Sequence, residues 1–330
     1  MEEIHLSYLR GEHFLMPIKK IAIQMDNIET IDLTFDTSFL LALEAQRRGY
    51  ELFYYNPANL EYANGTIQAS GYFIELFDKK DVYFKYLSEK KEILNLANFD
   101  VVLIRQDPPF DMNYISSTYL LEQLPPSTVV LNDPSSIRNA AEKIYPFQFQ
   151  QYMPPTIVTQ RVESIRSFIK EHLDVVTKPL YGNGGEGIFR SKLEDLTLEG
   201  IDETKDILEE PILVQKYIPE IVEGDRRIIL IDGKYVGSVA RIPQPNNLKA
   251  NFHAGGKPKK TDLVFRDKEI CEALEEDLKE KNLFLVGIDV IGNYLTEINV
   301  TSPTGLKQIN ELNNVNLGKV FWDKLEVKFF

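Results

Sequence analysis

The sequence predicts an α/β protein of two or three domains, in which a parallel α/β region precedes α+β regions. Its 330 residues exceed what one hydrophobic core usually supports. From residue 18 to about 138, apolar strand-like runs alternate with helix-like segments, which is typical of a parallel sheet covered on both faces. Beyond about residue 139 the strand-like runs follow one another through turns. We therefore expect domains at 18–138, 139–217 and 218–330, after an extension at 1–17 that we expect to be disordered.

Composition and charge exclude several classes of function. The net charge of -13 argues against a nucleic-acid partner, because neutralising a phosphate backbone needs clustered Lys and Arg. No apolar run approaches the ~20 residues that a membrane-spanning helix needs, so we expect no membrane partner. The single cysteine, Cys271, excludes an intramolecular disulfide and fits a reducing cytoplasm. On an amphipathic helix it is far more consistent with a buried structural thiol than with a nucleophile.

The N-terminal region contains three predicted βα units. Ligands bind at the carboxyl ends of the strands in sheets of this kind, and Arg105 and Asp107 lie at such an end. Asp36 and the two residues after it are good helix-capping residues, and Gly49 ends the helix that they begin. The predicted strand and helix pairs are 18–25 with 39–48, 100–105 with a helix through Leu124, and 129–131 with 135–143.

The middle region reads as a small α+β unit that carries a glycine-rich loop. We predict strands at 156–159, 174–180, 188–190 and 211–217, with a helix at 164–172. Four glycines between Gly182 and Gly187 allow backbone N–H groups to crowd onto a phosphate, and Lys178 supplies positive charge. This is not a P-loop, because that motif opens a helix and needs Gly-Lys before Ser or Thr. The alternative interpretation is a flexible hairpin loop without a ligand.

The last third contains a predicted hairpin and then a long loop. Alternation on the first strand, 224–231, puts Arg227 and Ile229 on one face, opposite Arg226 and Ile228. The second strand covers 235–241. The segment 243–260 is rich in Pro, Asn, Gly and Lys and short of apolar residues, so we predict a mobile loop. It is either an active-site lid or a disordered segment without function.

The stretch 286–300 is a second predicted hairpin, and it carries oxygen ligands for a metal. Glu297 and Asn299 are two residues apart, so both side chains leave one face of a strand. Asp289 joins them only if it lies directly opposite Glu297, which demands a loop of odd length or a bulge. Such an oxygen-only set suits Mg²⁺ on nucleotide phosphates, and we expect both carboxylates to face a solvated cleft. The alternative is a surface hairpin with a solvated polar face.

Two further helices complete the predicted fold. One covers 267–281, and the other covers the last residues of the chain. The apolar face of the second helix contains Leu317, Val320, Phe321 and Leu325.

Four uninterrupted motifs resemble the bacterial glutathione synthetases, which are ligases of the ATP-grasp superfamily. They are Leu43–Tyr50, Asp107–Asp111, Ala240–Gln244 and Thr296–Thr304, and the resemblance runs from about Ile21 to about Leu325. It implies an ATP-grasp fold with an N-terminal parallel α/β domain, a small α+β lid domain and a C-terminal α+β domain. The loop at 248–256 departs from the family, which more often has Arg-Gly-Asn before small residues.

The resemblance also implies roles for individual residues. It implies catalytic roles for Arg241, Arg227 and Lys178, and Mg²⁺ or Mn²⁺ at Asp289, Glu297 and Asn299. It implies contacts to the peptide substrate from Arg105, Asp107, Arg241, Ser302, Pro303 and Thr304. The family's ATP-binding positions fall on Lys143, Lys178, Gly182, Asn183, Gly184, Gly185, Gly187, Gln215, Lys216, Tyr217, Ile218, Asp225 and Arg227.

The reaction that the resemblance implies joins γ-glutamylcysteine to glycine. ATP would phosphorylate the dipeptide's C-terminal carboxylate, and the amine of glycine would attack the acyl phosphate to give glutathione, ADP and phosphate. The family also implies a cytoplasmic homo-oligomer, a homotetramer in similar enzymes. Two alternatives stay open, namely another ATP-grasp ligase of amino acids or peptides, and a non-catalytic nucleotide-binding module of the same fold.

Overall fold

A computed structural model describes residues 20–330 apart from 80, 183–185, 196–200, 202–204, 246–249 and 253. The expected extension at 1–17 and the predicted ATP-binding residues Asn183, Gly184 and Gly185 lie outside the described residues. Within them the chain forms three sheets of eight, four and five strands. No helix in this part of the chain combines the length and the apolar character needed to cross a membrane.

The first sheet has a parallel centre. Four strands follow the order β2-β1-β7-β8, and every neighbouring pair among them is parallel. Asp36 caps the first helix by accepting a hydrogen bond from the Phe39 N–H at 2.6 Å. The elements of this region are β1 (Lys20–Gln24), α1 (Thr37–Arg47), β2 (Glu51–Tyr55), β3 (Leu60–Ala63), β4 (Thr66–Leu76), β5 (Phe84–Tyr86), β6 (Glu92–Asn95), β7 (Val101–Ile104), α2 (Met112–Leu121), β8 (Val129–Leu131) and α3 (Pro134–Asn139).

The three predicted βα units are therefore confirmed, with two differences. Strands β3 to β6 extend the sheet through antiparallel pairs around β4, an extension that the alternating pattern did not predict. The predicted helix at 135–143 ends at Asn139, and a 3-10 helix follows at Tyr145–Tyr152. Lys143 consequently lies in the turn between the two and not on a helix.

The second sheet is antiparallel throughout, in the order β11-β10-β12-β9. It has a small core of its own, in which α4 packs on the sheet through Ile165, Phe168 and Ile169 against Val175 and Val214. Its elements are β9 (Thr156–Arg161), α4 (Val162–His172), β10 (Asp174–Pro179), β11 (Phe189–Lys192) and β12 (Ile207–Lys216), each close to a predicted element.

The third sheet has the order β15-β14-β13-β16-β17 and is also antiparallel. Central β13 sends Ile228 into one buried cluster and Ile229 into another, which confirms the predicted alternation. Its elements, after a 3-10 turn at Pro219–Glu223, are β13 (Asp225–Ile231), β14 (Lys234–Ile242), β15 (Lys257–Lys260), α5 (Phe265–Glu280), β16 (Leu285–Ile291), β17 (Tyr294–Asn299), α6 (Leu306–Asn313) and α7 (Leu317–Phe329).

The prediction of a loop throughout 243–260 was wrong for its last four residues. Lys257–Lys260 pairs with β14 from Val239 to Ile242 and forms an edge strand of the sheet. All four side chains are exposed, so the strand rests on backbone hydrogen bonds, and hydrophobic patterning carries no signal for it.

The side chain of Asn132 links the first and third sheets just beyond β8. Its amide donates to the carbonyl oxygens of Leu285 and Val300 at 2.8 and 2.7 Å, and its Oδ1 accepts from the Leu285 N–H at 2.8 Å. Asn132 is 4% exposed, so these bonds are shielded from water. They fix the first sheet against the start of β16 and against the residue that precedes Thr301 and Ser302.

Candidate active site

A cavity of about 460 Å³ lies where the three sheets meet. Most of the residues selected from the sequence line it. From the second sheet and the turns beside it come Lys143, Lys178, Gly182, Gln215, Lys216, Tyr217 and Ile218. From the third sheet come Asp225, Arg227, Arg241, Asp289, Glu297 and Asn299, and from the segments after β7 and β17 come Asp107, Ser302, Pro303 and Thr304.

The hairpin of β16 and β17 has the bulge that the metal-ligand hypothesis required. Its turn contains two residues, since Ile291 pairs with Tyr294, and yet Asp289 pairs with Glu297. Thr296 is the extra residue, and its Oγ1 donates to the carbonyl oxygen of Asp289 at 3.1 Å. Regular pairing would have set Glu297 opposite Ile288 and turned its side chain to the other face. The bulge therefore brings Asp289 and Glu297 to one side.

Asp289 does not face a solvated cleft, so that expectation was wrong. It is 2% exposed. Arg227 donates to both of its oxygens, at 2.5 and 2.8 Å, and Arg241 approaches Oδ2 at 2.9 Å. Burial alone would raise the pKa of Asp289, but the two guanidinium groups outweigh burial and hold that pKa well below its usual range. One carboxylate thus fixes two arginines, which strand alternation places on the same face.

Two buried polar atoms of this network have no hydrogen-bond partner in the described structure. They are Oδ1 of Asp225 and Nε of Arg241. The other oxygen of Asp225 accepts a short hydrogen bond from Arg241. Burial raises the pKa of Asp225 to about 6, although Arg241 opposes that shift. Since unpaired buried groups are costly, an acceptor and a donor left open on the wall of a cavity indicate a polar ligand.

Two predicted ATP-binding lysines reach the cavity from different sides. Nζ of Lys143 donates to the carbonyl oxygen of Gly182 at 2.6 Å, which ties this lysine to the start of the glycine-rich turn. Nζ of Lys178 lies 3.7 Å from a carboxylate oxygen of Glu297. At the end of the turn Gly187 has φ +67°, and an added Cβ would lie 2.6 Å from the side chain of Pro179. Glycine is therefore required there for both conformation and space.

Glu142 is a site residue that sequence reasoning missed. It lines the cavity, and its carboxyl group lies close enough to that of Glu297 for the two to influence each other's ionisation. Its carbonyl oxygen accepts from the Ile298 N–H at 3.1 Å, so its position is set by β17. Burial, followed by the charge of Glu297, raises the pKa of Glu142 to about 8. In the sequence, Glu142 is recognisable only as an acidic residue before a lysine, and such pairs are common at solvated helix ends.

The segment after β17 forms the wall nearest the first sheet. Ser302 donates to Oδ1 of Asp107 at 2.5 Å, and Arg227 donates to the carbonyl oxygen of Thr304 at 3.3 Å. Arg105 is not among the lining residues. It is buried behind them and donates to Ser38 Oγ at 3.0 Å and to the carbonyl oxygen of Pro303 at 3.3 Å. Arg105 therefore supports the wall instead of forming its surface.

The predicted metal ligands provide oxygen donors only. No group of three or more His, Cys, Asp or Glu side chains is arranged to hold a metal in the described part of the chain, and the predicted set includes an amide. The amide nitrogen of Asn299 is directed to Gly287 O and Asp289 Oδ2, at 3.2 and 3.4 Å. The facing carboxyl groups of Glu142 and Glu297 and the open Oδ1 of Asp225 form an anionic, oxygen-rich surface. These donors fit a hard divalent cation.

Two family models match the chain along most of its length. Residues 19–138 match the N-terminal domain of prokaryotic glutathione synthetase, and residues 142–314 match its ATP-grasp domain. A glutathione synthetase of Agrobacterium fabrum is 44% identical over 312 residues, covering 94% of this chain and 97% of that relative. One from Mesorhizobium japonicum is 45% identical over 310 residues, covering 94% and 98%. One from Salmonella typhimurium is 38% identical over 312 residues, again covering 94% and 98%.

Solved structures share the fold at much lower sequence identity. The D-cycloserine synthetase DcsG has a TM-score of 0.65 and 12% identity, covering 94% of this chain and 100% of that one. The ATP-grasp ligase PsnB, complexed with a minimal precursor, Mg and ADP, has a TM-score of 0.59 and 14% identity, covering 93% and 97%. At such identities the likeness establishes an ATP-grasp fold and nothing about substrate.

Proposed function

Since the chain belongs to the prokaryotic glutathione synthetase family and is an ATP-dependent ligase, we propose that its cavity joins γ-glutamylcysteine to glycine. We place this reaction in the cavity because of one observation, the buried network of Asp225, Arg241, Asp289 and Arg227. It lies between the ATP-binding lysines and the Ser302–Thr304 wall, where a phosphate donor and a carboxylate acceptor would meet.

The reaction begins with activation of a carboxylate, because a carboxylate is a poor acylating agent at neutral pH. The γ-phosphoryl group of ATP passes to the C-terminal carboxylate of the dipeptide. This forms an acyl phosphate and ADP. The glycine amine then attacks the acyl carbon, loses its proton, and expels phosphate to leave glutathione. The reaction needs no protein nucleophile, so catalysis rests on positioning and charge stabilisation.

The buried arginines suit the transfer step. Arg241 has an open Nε on the cavity wall while its terminal nitrogen is paired with Asp225 and Asp289. Because those partners already fix the guanidinium, little reorganisation is needed when charge moves between donor and acceptor oxygens. Arg227 is fixed by the same carboxylate and holds the backbone at Thr304. Lys178 carries positive charge toward the phosphates.

The remaining site residues are assigned to three ligands. Lys143, Gly182, Gln215, Lys216, Tyr217 and Ile218 bind ATP, with Asn183, Gly184, Gly185 and Gly187 around its phosphates. Asp107, Ser302, Pro303 and Thr304 bind the dipeptide, with Arg105 behind them. Asp289, Glu297 and Asn299 would hold Mg²⁺, for which Mn²⁺ can substitute. When bound, the cation supplies charge that neutralises the phosphates.

An oxygen-label experiment tests this function. With ¹⁸O in the terminal carboxylate of γ-glutamylcysteine, the label is expected in the released phosphate, with one phosphate for each glutathione. Release should require ATP, dipeptide and glycine together. Appearance of AMP with pyrophosphate would instead indicate adenylation and overturn the mechanism. Turnover of D-alanine alone at an equal rate would favour another ATP-grasp ligase, and the absence of any turnover would favour a binding module.

Three further properties belong to the same proposal. The domain boundaries at 18–138, 139–217 and 218–330 follow the change from one sheet to the next. The lone buried cysteine, Cys271, suits a reducing cytoplasm, and burial raises the pKa of its thiol to about 12. A homo-oligomer, a tetramer by resemblance, is expected. Light scattering of the purified protein measures its mass directly, and a monomer would contradict this expectation.

A further inference from the structure

The face of the second sheet that lines the cavity extends beyond the cavity itself. Val175 and Val214 pack beneath α4, so side chains at alternate positions leave the opposite face. Val176 and its register partner Gln215 lie on that opposite face and line the cavity. Arg190 of β11 is the register partner of Val176 on its other side, and it therefore shares the cavity-facing side of the sheet.

Arg190 is held by two different partners at the rim of the cavity. Its Nε and Nη2 donate to the two carboxylate oxygens of Asp174 at 2.8 and 2.6 Å. The guanidinium carbon lies 3.6 Å from the centre of the Tyr217 ring. A planar guanidinium can make both contacts at once, because its edge bonds a carboxylate while its face stacks on an aromatic ring. The contact with Tyr217 reaches the site, since Tyr217 lines the cavity.

Asp174 holds Tyr217 a second time, through the backbone. Its carbonyl oxygen accepts a hydrogen bond from the Tyr217 N–H at 3.0 Å. Tyr217 is therefore fixed at its backbone by Asp174 and at its ring by Arg190, which the Asp174 carboxylate orients. We call these three residues the rim clamp.

The rim clamp joins three segments, each of which carries part of the proposed ATP site. Strand β10 carries Lys178 on the same face as Asp174. Strand β11 follows the glycine-rich turn, and Ile188, directly before the strand, lines the cavity. Tyr217 itself belongs to the lining segment 216–218. The clamp thus fixes the three segments relative to one another from the cavity side, opposite the small core of this sheet.

The ion pair within the rim clamp is partly solvated. The side chains of Arg190 and Asp174 are 31% and 30% exposed, and pairs of this kind add little to the free energy of unfolding. A role in stability and a role in orienting Tyr217 therefore predict different results. Loss of a stabilising pair lowers the melting temperature, whereas loss of orientation lowers the affinity for the nucleotide.

We propose that Arg190 is a positioning residue of the nucleotide site and acts through the ring of Tyr217. This inference rests on the proposed function, which assigns the segment 216–218 to ATP. With the clamp intact, the segment meets the nucleotide already ordered. Without the stack, the segment must be ordered on binding, and the free-energy cost appears as weaker affinity for ATP. Chemistry after binding should be unaffected, since Asp289 fixes the arginines of the third sheet.

The test measures nucleotide affinity separately from the reaction. Arg190→Lys keeps a positive charge beside Asp174 but cannot bond both of its oxygens and stack on the ring at once. We expect its Kd for a non-hydrolysable ATP analogue with Mg²⁺, measured by calorimetry, to rise ~5-fold or more. In turnover assays KM for ATP should rise by the same factor. Both kcat and KM for the dipeptide should stay within ~2-fold of the wild-type values, as expected when only nucleotide binding is weakened.

A double variant asks whether Arg190 acts through Tyr217. Tyr217→Leu removes the ring and should also raise Kd for the analogue. Adding Arg190→Lys to Tyr217→Leu should then change Kd by less than ~2-fold, because the stack is already lost. Asp174→Asn removes the charge that orients Arg190 and should raise Kd as well, so it decides the question if Arg190→Lys does not fold.

Arg161→Lys is the matched control. Arg161 is an exposed arginine at the end of β9 in the same sheet, and it does not line the cavity. The substitution makes the same chemical change away from the rim clamp. The variant should bind the analogue with the wild-type Kd and melt at the wild-type temperature.

Two results would overturn the role of Arg190. One is an unchanged Kd for the analogue in the folded variants Arg190→Lys and Asp174→Asn, whatever their melting temperatures, since the pair would then be structural only. The other is multiplication of the two effects in the double variant, which would show that Arg190 does not act through Tyr217.

The same measurements separate this role from the proposed function. If the wild-type protein does not bind the analogue, the assignment of 216–218 to ATP fails, and the role of Arg190 fails with it. If the wild-type protein binds the analogue but forms no glutathione, the proposed function fails, and calorimetry still decides the role of Arg190.

Discussion

The second and third sheets face the same cavity but hold their functional side chains very differently. On the third sheet Arg227, Arg241 and Asp289 are ion-paired to one another and are each no more than 6% exposed. On the second sheet, Lys178, which lines the cavity, has only a 3.7 Å ion pair with Glu297 among the described residues, and the described core beneath has five buried side chains. Under the proposed function, the groups that would act on the transferring phosphoryl group are thus fixed in advance. The sheet that would cover ATP is held by fewer contacts, which suits a part that opens to admit its ligand.

Replacing Asp289 should have the largest effect, because it removes the centre of the fixed network. Asp289→Asn leaves Arg227 and Arg241 buried without their carboxylate, and breaking a buried pair in this way costs about 3–5 kcal/mol. We expect the free energy of unfolding, measured in urea, to fall by that amount, and turnover to fall with it. An unchanged urea midpoint would show that the network contributes nothing to stability.

Glu297→Gln should affect turnover but not stability, unlike Asp289→Asn. Glu297 faces the cavity from the same hairpin, but it has no arginine partner among the described residues. We expect turnover to fall by at least ~10²-fold, because an unneutralised triphosphate raises the barrier by several kcal/mol. The melting temperature should stay near the wild-type value. Glu272→Gln, on the exposed side of α5, makes the same change of charge as a control. Near-normal turnover of Glu297→Gln at low Mg²⁺ would refute its role as a ligand.

Hydrogen exchange compares the two sheets directly. Without ligand, peptides from β12 should exchange roughly tenfold or more faster than peptides from β13, because the smaller core gives a lower free energy of local opening. Adding Mg²⁺ with a non-hydrolysable ATP analogue should slow exchange in β12 and leave β13 nearly unchanged. The same peptides analysed from pH-matched samples without ligand provide the baseline. Equal protection of both strands in the empty protein would break the comparison.

Glu142 lies at the junction of the two sheets, and its replacement should have the smallest effect. Its pKa of about 8 in the folded protein is above the value in the unfolded chain, so the protonated form is favoured by folding and stability is lost as pH rises toward 8. In EDTA, Glu142→Gln should therefore melt higher than the wild type at pH 8.5 and nearly equally at pH 4. A gain of about 1 kcal/mol would raise Tm by about 2 °C in a chain of this size. A difference that is the same at both pH values would contradict this account.

Much of the fold could be predicted because its elements have local signals. The βα units follow from Asp36 as a cap and from continuous apolar strands. The hairpin at 286–300 follows from apolar arms on both sides of Gly292-Asn293, and the shared face of Glu297 and Asn299 follows from their two-residue spacing. The edge strand Lys257–Lys260 has no such signal, since all its side chains are exposed. Its pairing depends on β14 and not on its own composition.

The site was less predictable where its geometry depends on contacts that are distant in sequence. Burial of Asp289 depends on arginines 62 and 48 residues away, so a solvated position was the natural expectation from the hairpin alone. Glu142 enters the site only because its carbonyl oxygen bonds to Ile298. Arg105 was rightly placed at the end of a strand, but whether it contacts the peptide or supports Pro303 is decided by packing that the sequence does not encode locally.

The extra residue in β17 is as necessary to the proposed metal site as the ligands themselves. A designer who copied Asp289, Glu297 and Asn299 into another two-residue-turn hairpin, while omitting the position of Thr296, would obtain the correct side chains on opposite faces. Conversely, deleting Thr296 should abolish Mg²⁺ binding at the proposed site without removing any of its ligands. The extra position of Thr296, between Asp289 and Glu297, is thus part of the proposed metal-binding motif even though Thr296 supplies no ligand.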